Sequence, residues 1–380
     1  MKVKGNTIYT ILPGLIVCLG LMLLGIYVAD LLGLLLIKLE ILPSGNTSPI
    51  SGIFISILFG IMIRNTIGLH TIFKPGVLFS LKYVLRIGIV FLGIRLSIVD
   101  ALKLGIWGLP LIIICIASGL LITLYFTKKM GQSERLGTLI ATGTGICGIT
   151  AIMAVSPVIK ARENEISYAV ANITIFGLVG MLFYPFLANL FFGTDPVKTG
   201  LFLGTAIHDT AQVTGAALIF AQMYDLEQVI DVATVTKLTR NLFMIAVIPI
   251  VSYFFYKNID RNTKSQALPK WYKLVPGFIV GFLLLALLRT IGDITVTNSS
   301  VAFGLIEIET WEMFHDSLSN IGSTYLLGLA MAGVGLSTDF KMFKGLGFKP
   351  FYIGLIAAIA IGIVSVTLIS SFGHFIDLTM

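Results

Sequence analysis

Apolar residues run through this chain in blocks of about twenty, separated by short polar connectors, with little sign of the polar face that a helix of a soluble protein keeps. A helix of about 20 apolar residues crosses a hydrocarbon core about 30 Å thick. The pattern predicts eleven spans, near 11–37, 50–69, 79–99, 105–127, 133–158, 166–192, 199–222, 237–256, 273–292, 321–338 and 348–371. The expected fold class is therefore all-α polytopic membrane protein, with residues 1–380 forming a single transmembrane domain. The stretch 293–320 interrupts the pattern with acidic residues and reads as an external polar segment. Within it Ile308, Trp311, Met313, Phe314 and Leu318 can line one face of a short helix lying at the membrane surface.

Composition agrees with that reading. Of 380 residues, 56% are hydrophobic and only 12% charged, about half the charged share a soluble surface requires. The net charge of +7 does not point to nucleic acid, because no dense Lys/Arg stretch carries exposed aromatics and most basic residues lie between apolar runs. Their placement follows the positive-inside pattern. With a cytoplasmic N-terminus, inside loops hold Lys74 and Lys82; Lys128, Lys129 and Arg135; Lys198; Lys257, Arg261, Lys264, Lys270 and Lys273; and Lys341, Lys344 and Lys349. Outside loops hold Asp225, Glu227 and Asp231, then Glu307, Glu309, Glu312 and Asp316. Arg95 and Lys103, and Lys160 and Arg162, are exceptions. The bias favours a cytoplasmic N-terminus, an odd number of spans and an external C-terminus. Lys2 and Lys4 precede a run too long for a cleaved signal, so the first span reads as a retained helix. Cys18, Cys115 and Cys147 lack metal-site spacing, and neither a metal nor a cofactor is expected.

An internal echo lies at a constant offset of 240. Gly88 to Ser97, with Gly105 and Pro110, matches Gly328 to Ser337, with Gly345 and Pro350, and Lys103-Leu104-Gly105 answers to Lys344-Gly345 with its lysine one residue out of register. The assigned topology gives the hairpins 79–127 and 321–371 opposite orientations, as in an inverted-repeat secondary transporter. A second echo, Tyr9 to Gly14 against Tyr272 to Gly277, joins spans of like orientation and leaves the full repeat pairing open.

Polar residues inside spans mark candidate sites, because unpaired polarity in hydrocarbon is costly. The run 204–217 carries Thr205, His208, Asp209, Thr210, Gln212 and Thr214, and the run 142–151 carries Thr144, Gly145, Cys147 and Thr150. The second run resembles the first, Gly-Thr-Gly-Ile-Cys-Gly matching Gly-Thr-Ala-Ile-His-Asp. The run 142–151 is poor material for continuous helix and the run 204–217 resembles it, so discontinuous helices are expected near 133–158 and 199–222, turning free backbone groups toward a midplane ligand. Tight packing of small residues is the competing explanation. Asn172 joins the candidates as a polar break in 166–192. Arg64, Arg95 and Arg240 are candidates for neutralising an anion, against the plainer role of interfacial anchors for Arg64 and Arg240. Lys237 and Asn241 open span eight beside Arg240, and Arg289 is read as a further anchor.

These motifs resemble the YeiH-type family of bacterial inner-membrane proteins, often labelled sulfate exporters. The likeness rests on Gly204 to Ala217, on Thr142 to Ile152 and on Phe91-Leu-Gly-Ile-Arg95-Leu-Ser97, in order along the chain. It implies the superfamily of bile-acid symporters and Na+/H+ antiporters, with two inverted repeats and two discontinuous helices crossing near mid-membrane, here 143–151 and 204–215. The paired aspartates that some antiporters place in one span are lacking. The expected function is secondary active transport of a small sulfate-, sulfonate- or carboxylate-type anion, coupled to H+ or Na+, by alternating access. A channel and a non-transporting structural or sensory protein are the alternatives. No nucleophile is arranged with His208 and Asp209, so neither a catalytic residue nor an enzyme activity is expected. The lipid bilayer is the expected partner, nucleic acid is not, and a homodimer is left open.

Overall fold

A computed structural model describes residues 7–38, 51–259, 277–299, 301–340 and 348–372. Lys2, Lys4, Arg261, Lys264, Lys270, Lys273, Lys341 and Lys344, which entered the charge pattern, lie outside the described residues. Among the described residues the regular structure is all helical apart from one hairpin of two two-residue strands. Contacts divide it into two compact units.

Eleven continuous spans are not what the chain forms. Among the described residues six helices are long and apolar enough to cross a membrane: Tyr9–Leu35, Lys74–Arg95, Ile98–Lys129, Glu163–Phe192, Gly277–Thr297 and Phe348–Phe372. A bent pair, Gln228–Leu242 with Met244–Phe255, makes up to seven. The expected spans 133–158 and 199–222 are each broken into two helices, 50–69 shortens to the apolar helix Gly52–Thr66, and 321–338 is part π-helical. Hydropathy windows register apolar length and are blind to a break that leaves both halves apolar.

The first unit contains residues up to 102, 218–227 and 277–340. Its helices are α1 (Thr7–Lys38), α2 (Gly52–Thr66), α3 (Lys74–Phe79) and α4 (Leu85–Leu92), the last two joined by a π-helical turn over Ser80–Val84. Close backbone approach needs glycine at Gly60, where an added methyl would lie 2.8 Å from the Gly335 carbonyl carbon. Helix α4 ends in a 3-10 turn closing on Arg95, whose Nη2 donates to Glu227 Oε2 at 3.0 Å and Nη1 to Ser319 Oγ at 3.1 Å. Arg64 Nη2 meets Asp339 Oδ2 at 2.8 Å.

The acidic stretch 293–320 is more structured than a polar loop. The helix Gly277–Ser299 runs into it and is followed by the hairpin Val301–Ala302 with Ile306–Glu307 and by the helix Ile308–Asn320. Trp311 turns inward, its Nε1 donating to Asp293 Oδ1 at 2.9 Å, while Met313 and Phe314 stay exposed. His315 is buried against the Trp311 ring. A π-helical turn over Ile321–Leu326 then leads into Leu327–Ser337. A π-helical turn precedes both copies of the echo, which begin at Gly88 and at Gly328.

The second unit contains residues 103–217, 228–259 and 348–372 among those described. Its elements are α5 (Ile98–Lys129, from residue 103), α6 (Glu134–Gly145), α7 (Ile149–Val155), α8 (Glu163–Phe192), α9 (Pro196–Ala206), the start of α10 (Thr210–Tyr224), α11 (Gln228–Leu242), α12 (Met244–Ile259) and the C-terminal helix Phe348–Phe372. Helices α6 and α9 begin alike. Ser133 Oγ accepts from Leu136 N at 3.1 Å, and Asp195 Oδ1 accepts from Val197 N and Lys198 N at 3.1 and 3.0 Å, capping donors a helix start leaves unpaired.

Helix α8 gives the depth of both breaks. Helix α6 runs beside it in the same direction: Ser133 Oγ donates to Glu165 Oε1 at 2.7 Å, and a methyl on Gly143 would meet Ile173 at 2.9 Å. Helix α9 runs against it from the other end. The Tyr184 ring packs at a tilt against Phe202, 5.1 Å between centroids, and a methyl on Gly180 would lie 3.5 Å from Ile207. The first break therefore falls level with the turn after Ile173 and the second level with Gly180, both near the middle of this 30-residue helix.

Candidate functional site

Each break has a local cause. Helix α6 ends at Gly145, Ile146 leaves helical geometry (φ −122°, ψ −89°), and Gly148 sits at φ 62°, ψ −127°, a region open essentially to glycine alone. Helix α9 ends at Ala206, and Ile207 is extended (φ −87°, ψ 141°). Helix ends leave carbonyls unpaired and carry partial negative charge, while helix starts leave N–H groups unpaired and carry partial positive charge. Buried at mid-helix depth, those groups need partners.

Lys237 and Arg240, both 0% exposed, supply them for the carbonyls. Lys237 Nζ donates to Ile146 O at 3.1 Å, Ile207 O at 2.9 Å and His208 O at 2.5 Å. Arg240 Nε donates to Gly145 O at 3.0 Å, Nη2 to Thr144 O at 2.7 Å and Nη1 to Thr205 O. The pairing is symmetric in sequence. Thr144 and Thr205, like Ile146 and Ile207, correspond in the two similar motifs, and each cation joins one corresponding pair of carbonyls. At the opposite charge, Asp209 Oδ1 accepts from Ala211 N at 2.9 Å, and its carboxylate also takes the Ile149 N–H. One acid thereby serves the starts of both α7 and α10. It stands where the first motif has Gly148, whose added methyl would lie 3.0 Å from Asp209 Oδ2.

The candidates divide between this centre and its surroundings. Thr144, Gly145, Thr205, His208 and Asp209 belong to it, the first four through backbone carbonyls. Thr205 Oγ1 also lies 2.7 Å from Ser365 Oγ. Cys147 is buried with Sγ 2.9 Å from Met244 Sδ. Thr210 Oγ1 accepts from Asn241 Nδ2 at 3.2 Å and Thr214 Oγ1 donates to Thr210 O at 2.9 Å. Gln212 reaches α8 instead, Nε2 donating to Thr174 O at 3.1 Å. Asn172 turns to the C-terminal helix and donates to Pro350 O at 2.7 Å. Thr150 is exposed. Thr144 Oγ1, His208 Nδ1 and Asn241 Oδ1 are buried without a hydrogen-bond partner among the described residues.

The plainer reading of Arg240 as a snorkelling anchor is corrected, since its guanidinium is wholly buried and its donors go to helix ends. Arg64 and Arg95 are held in the first unit by Asp339 and Glu227. Lys237, which the sequence marks as one of the polar residues opening span eight, takes a role in the centre that its position along the chain does not assign. The signal lies in the spacing: Asp231, Thr234, Lys237 and Asn241 recur at three- and four-residue intervals within 228–242, a polar stripe on a helix buried almost throughout.

Long apolar helices around a buried, internally paired charge cluster define a multi-pass α-helical membrane protein. The chain belongs to the bacterial membrane-protein family described as conserved hypothetical protein 698, whose pattern matches residues 13–354. It is 31% identical over 361 residues to a UPF0324 membrane protein of Streptococcus agalactiae, covering 94% of this chain and 96% of that one. Similar proteins occur in Bacillus anthracis (32% over 320 residues; 84% and 86% covered) and Listeria monocytogenes (32% over 323 residues; 83% and 86%). No solved structure matches the chain.

Proposed function

We propose that the protein is a secondary active transporter of a small anion of sulfate, sulfonate or carboxylate type, coupled to H+ or Na+ and working by alternating access in the bacterial inner membrane. The N-terminus is cytoplasmic and the C-terminus external in this reading, and the chain performs no catalysis. The observation that carries the proposal is the buried centre itself: two cations and one acid placed at opposite ends of two interrupted helices, where a purely structural core would keep neutral continuous helix. The likeness to YeiH-type exporters, and through them to inverted-repeat symporters and antiporters, supports the same reading.

The charges suggest how coupling works. With Lys237, Arg240 and Asp209 ionised, the cluster carries one net positive charge. A proton or Na+ taken up by Asp209 raises that charge and strengthens attraction for an anion, so ion and anion load together. Thr144 and His208, with side-chain polar atoms still unpaired, are the groups we assign to substrate contact.

The test is uptake of radiolabelled sulfate, methanesulfonate and acetate into proteoliposomes under an imposed pH or Na+ gradient. Protein-dependent, gradient-dependent uptake of at least one anion is expected, with Asp209→Asn uncoupling it from the gradient. Uptake no greater than in protein-free vesicles for all three, or uptake unaffected by Asp209→Asn and His208→Ala, would remove the centre from any transport mechanism.

A further inference from the structure

We infer that neither interrupted segment crosses the membrane: each is a re-entrant hairpin, the two dip in from opposite faces, and their tips meet at Lys237 and Arg240. This gives the buried centre one arm from each side of the bilayer. The inference rests on packing register and stands whether or not the protein transports anything.

For the first segment, α7 turns back along α6. A methyl on Gly143 would lie 2.9 Å from Ile152 Cδ1, although nine residues of continuous helix would separate these positions by about 13 Å. The chain stays coiled in turns after α7, with Ser156 N donating to Ile152 O, Ile159 N to Val155 O and Ala161 N to Ser156 O, so 156–161 is too compact to recover a crossing. Helix α8 then starts level with the start of α6, as Ser133 bonded to Glu165 requires.

The second segment repeats the arrangement. Gly200 packs on Val232, and a methyl on Gly204 would meet Thr236 at 2.7 Å, so α9 and α11 run parallel with their starts level. Between them the chain has only α10 and the residues to Gln228. From Tyr224 to Gln228 the backbone spans at most ~15 Å. Had α10 continued in the direction of α9, its end would stand roughly 40 Å from the start of α11, and even a perpendicular course leaves about 28 Å. Only a return fits.

The two hairpins enter from opposite faces because α8, itself a membrane-crossing helix, separates them: α6 lies along its N-terminal half and α9 along its C-terminal half. Charge placement improves in consequence. Lys160 and Arg162, exceptions if the segment is a span, move to the side of Lys128, Lys129 and Arg135. Lys198 moves to the other side, where Asp195 lies 2.8 Å from its Nζ. Two crossings are removed, so parity and the sidedness of both termini are unchanged.

Single cysteines at the exposed positions Lys129, Glu163, Thr194 and Gln228 test this, labelled by a membrane-impermeant maleimide in right-side-out and in inverted vesicles. The three native cysteines are buried, and the parent chain is the blank. Re-entry predicts that Lys129→Cys and Glu163→Cys label together from one face and Thr194→Cys and Gln228→Cys together from the other, each at least tenfold faster than from its opposite face. Strict alternation along the four positions would mean two crossing segments and would overturn the inference. Monodispersity in detergent screens out misfolded variants, for which Lys128→Cys and Asn164→Cys are replacements.

Discussion

Arg240→Met tests whether the buried guanidinium holds the two hairpin tips together. The substitution keeps an unbranched side chain and helix propensity while removing donors to Gly145 O, Thr144 O and Thr205 O. Three charge-assisted bonds of about 1.5–3 kcal/mol each set a gross loss of about 5–9 kcal/mol. Removing the cation also removes its desolvation cost, several kcal/mol for a fully buried ion. Some of the three carbonyls are re-solvated or re-paired, the others being left buried at about 1–3 kcal/mol each. The net expectation is about 3–5 kcal/mol of destabilisation, the range for breaking a buried charge network from one side. Arg64→Met is the control, because that arginine is 19% exposed and its single ion pair with Asp339 places it at about 1 kcal/mol or less. Arg240→Lys, keeping the charge with a different donor geometry, should fall between. Thermal unfolding of the purified protein in one detergent, followed by intrinsic fluorescence, reads the order directly. Were Arg240→Met to melt with the parent and Arg64→Met, the guanidinium would not be pairing with the helix ends, and the account of the centre would fail.

Gly148→Ala forces a side chain into φ 62° and against Asp209, so about 1–3 kcal/mol of stability should be lost in the same melting assay; an unchanged melt would contradict the positive-φ break. At the acidic segment, burial and then the nearby Arg289 hold the His315 imidazole below its ordinary value, Asp316 opposing them. The unfolded chain therefore takes a proton first as pH falls through about 6.5, and stability contributed by neutral His315 is lost from there down to its folded value. Melting between pH 7 and 5 should accordingly fall more steeply for the parent than for His315→Gln, and parallel curves would refute the assignment. In flux measurements Asn172→Ala should lower stability by about 1 kcal/mol through its lost bond to Pro350 O while leaving substrate KM unchanged, since that side chain faces the C-terminal helix; a raised KM would put it back in the site.

How much of this was legible in the chain follows from where each interaction lives. Membrane class is a one-dimensional property, since an apolar run of sufficient length has one stable destination. The two breaks were readable as well, because Gly148 and the Thr-Gly-Thr-Gly and His-Asp runs are locally unsuited to helix, and so was the kinship between them. Asp209 could be singled out for the same reason, as an acid that hydrocarbon does not tolerate alone. The direction taken after each break depended on tertiary packing. A helix that resumes after three residues has the same composition whether it goes forward or folds back, and only Gly143 on Ile152, or Gly200 on Val232, distinguishes the two. Lys237 and Arg240 show the same limit from the energetic side. Their partners are backbone carbonyls of Thr144, Gly145, Ile146, Thr205, Ile207 and His208, which carry no side-chain signature and lie far away along the chain, so no residue pattern could name them before the fold brought the helix ends together.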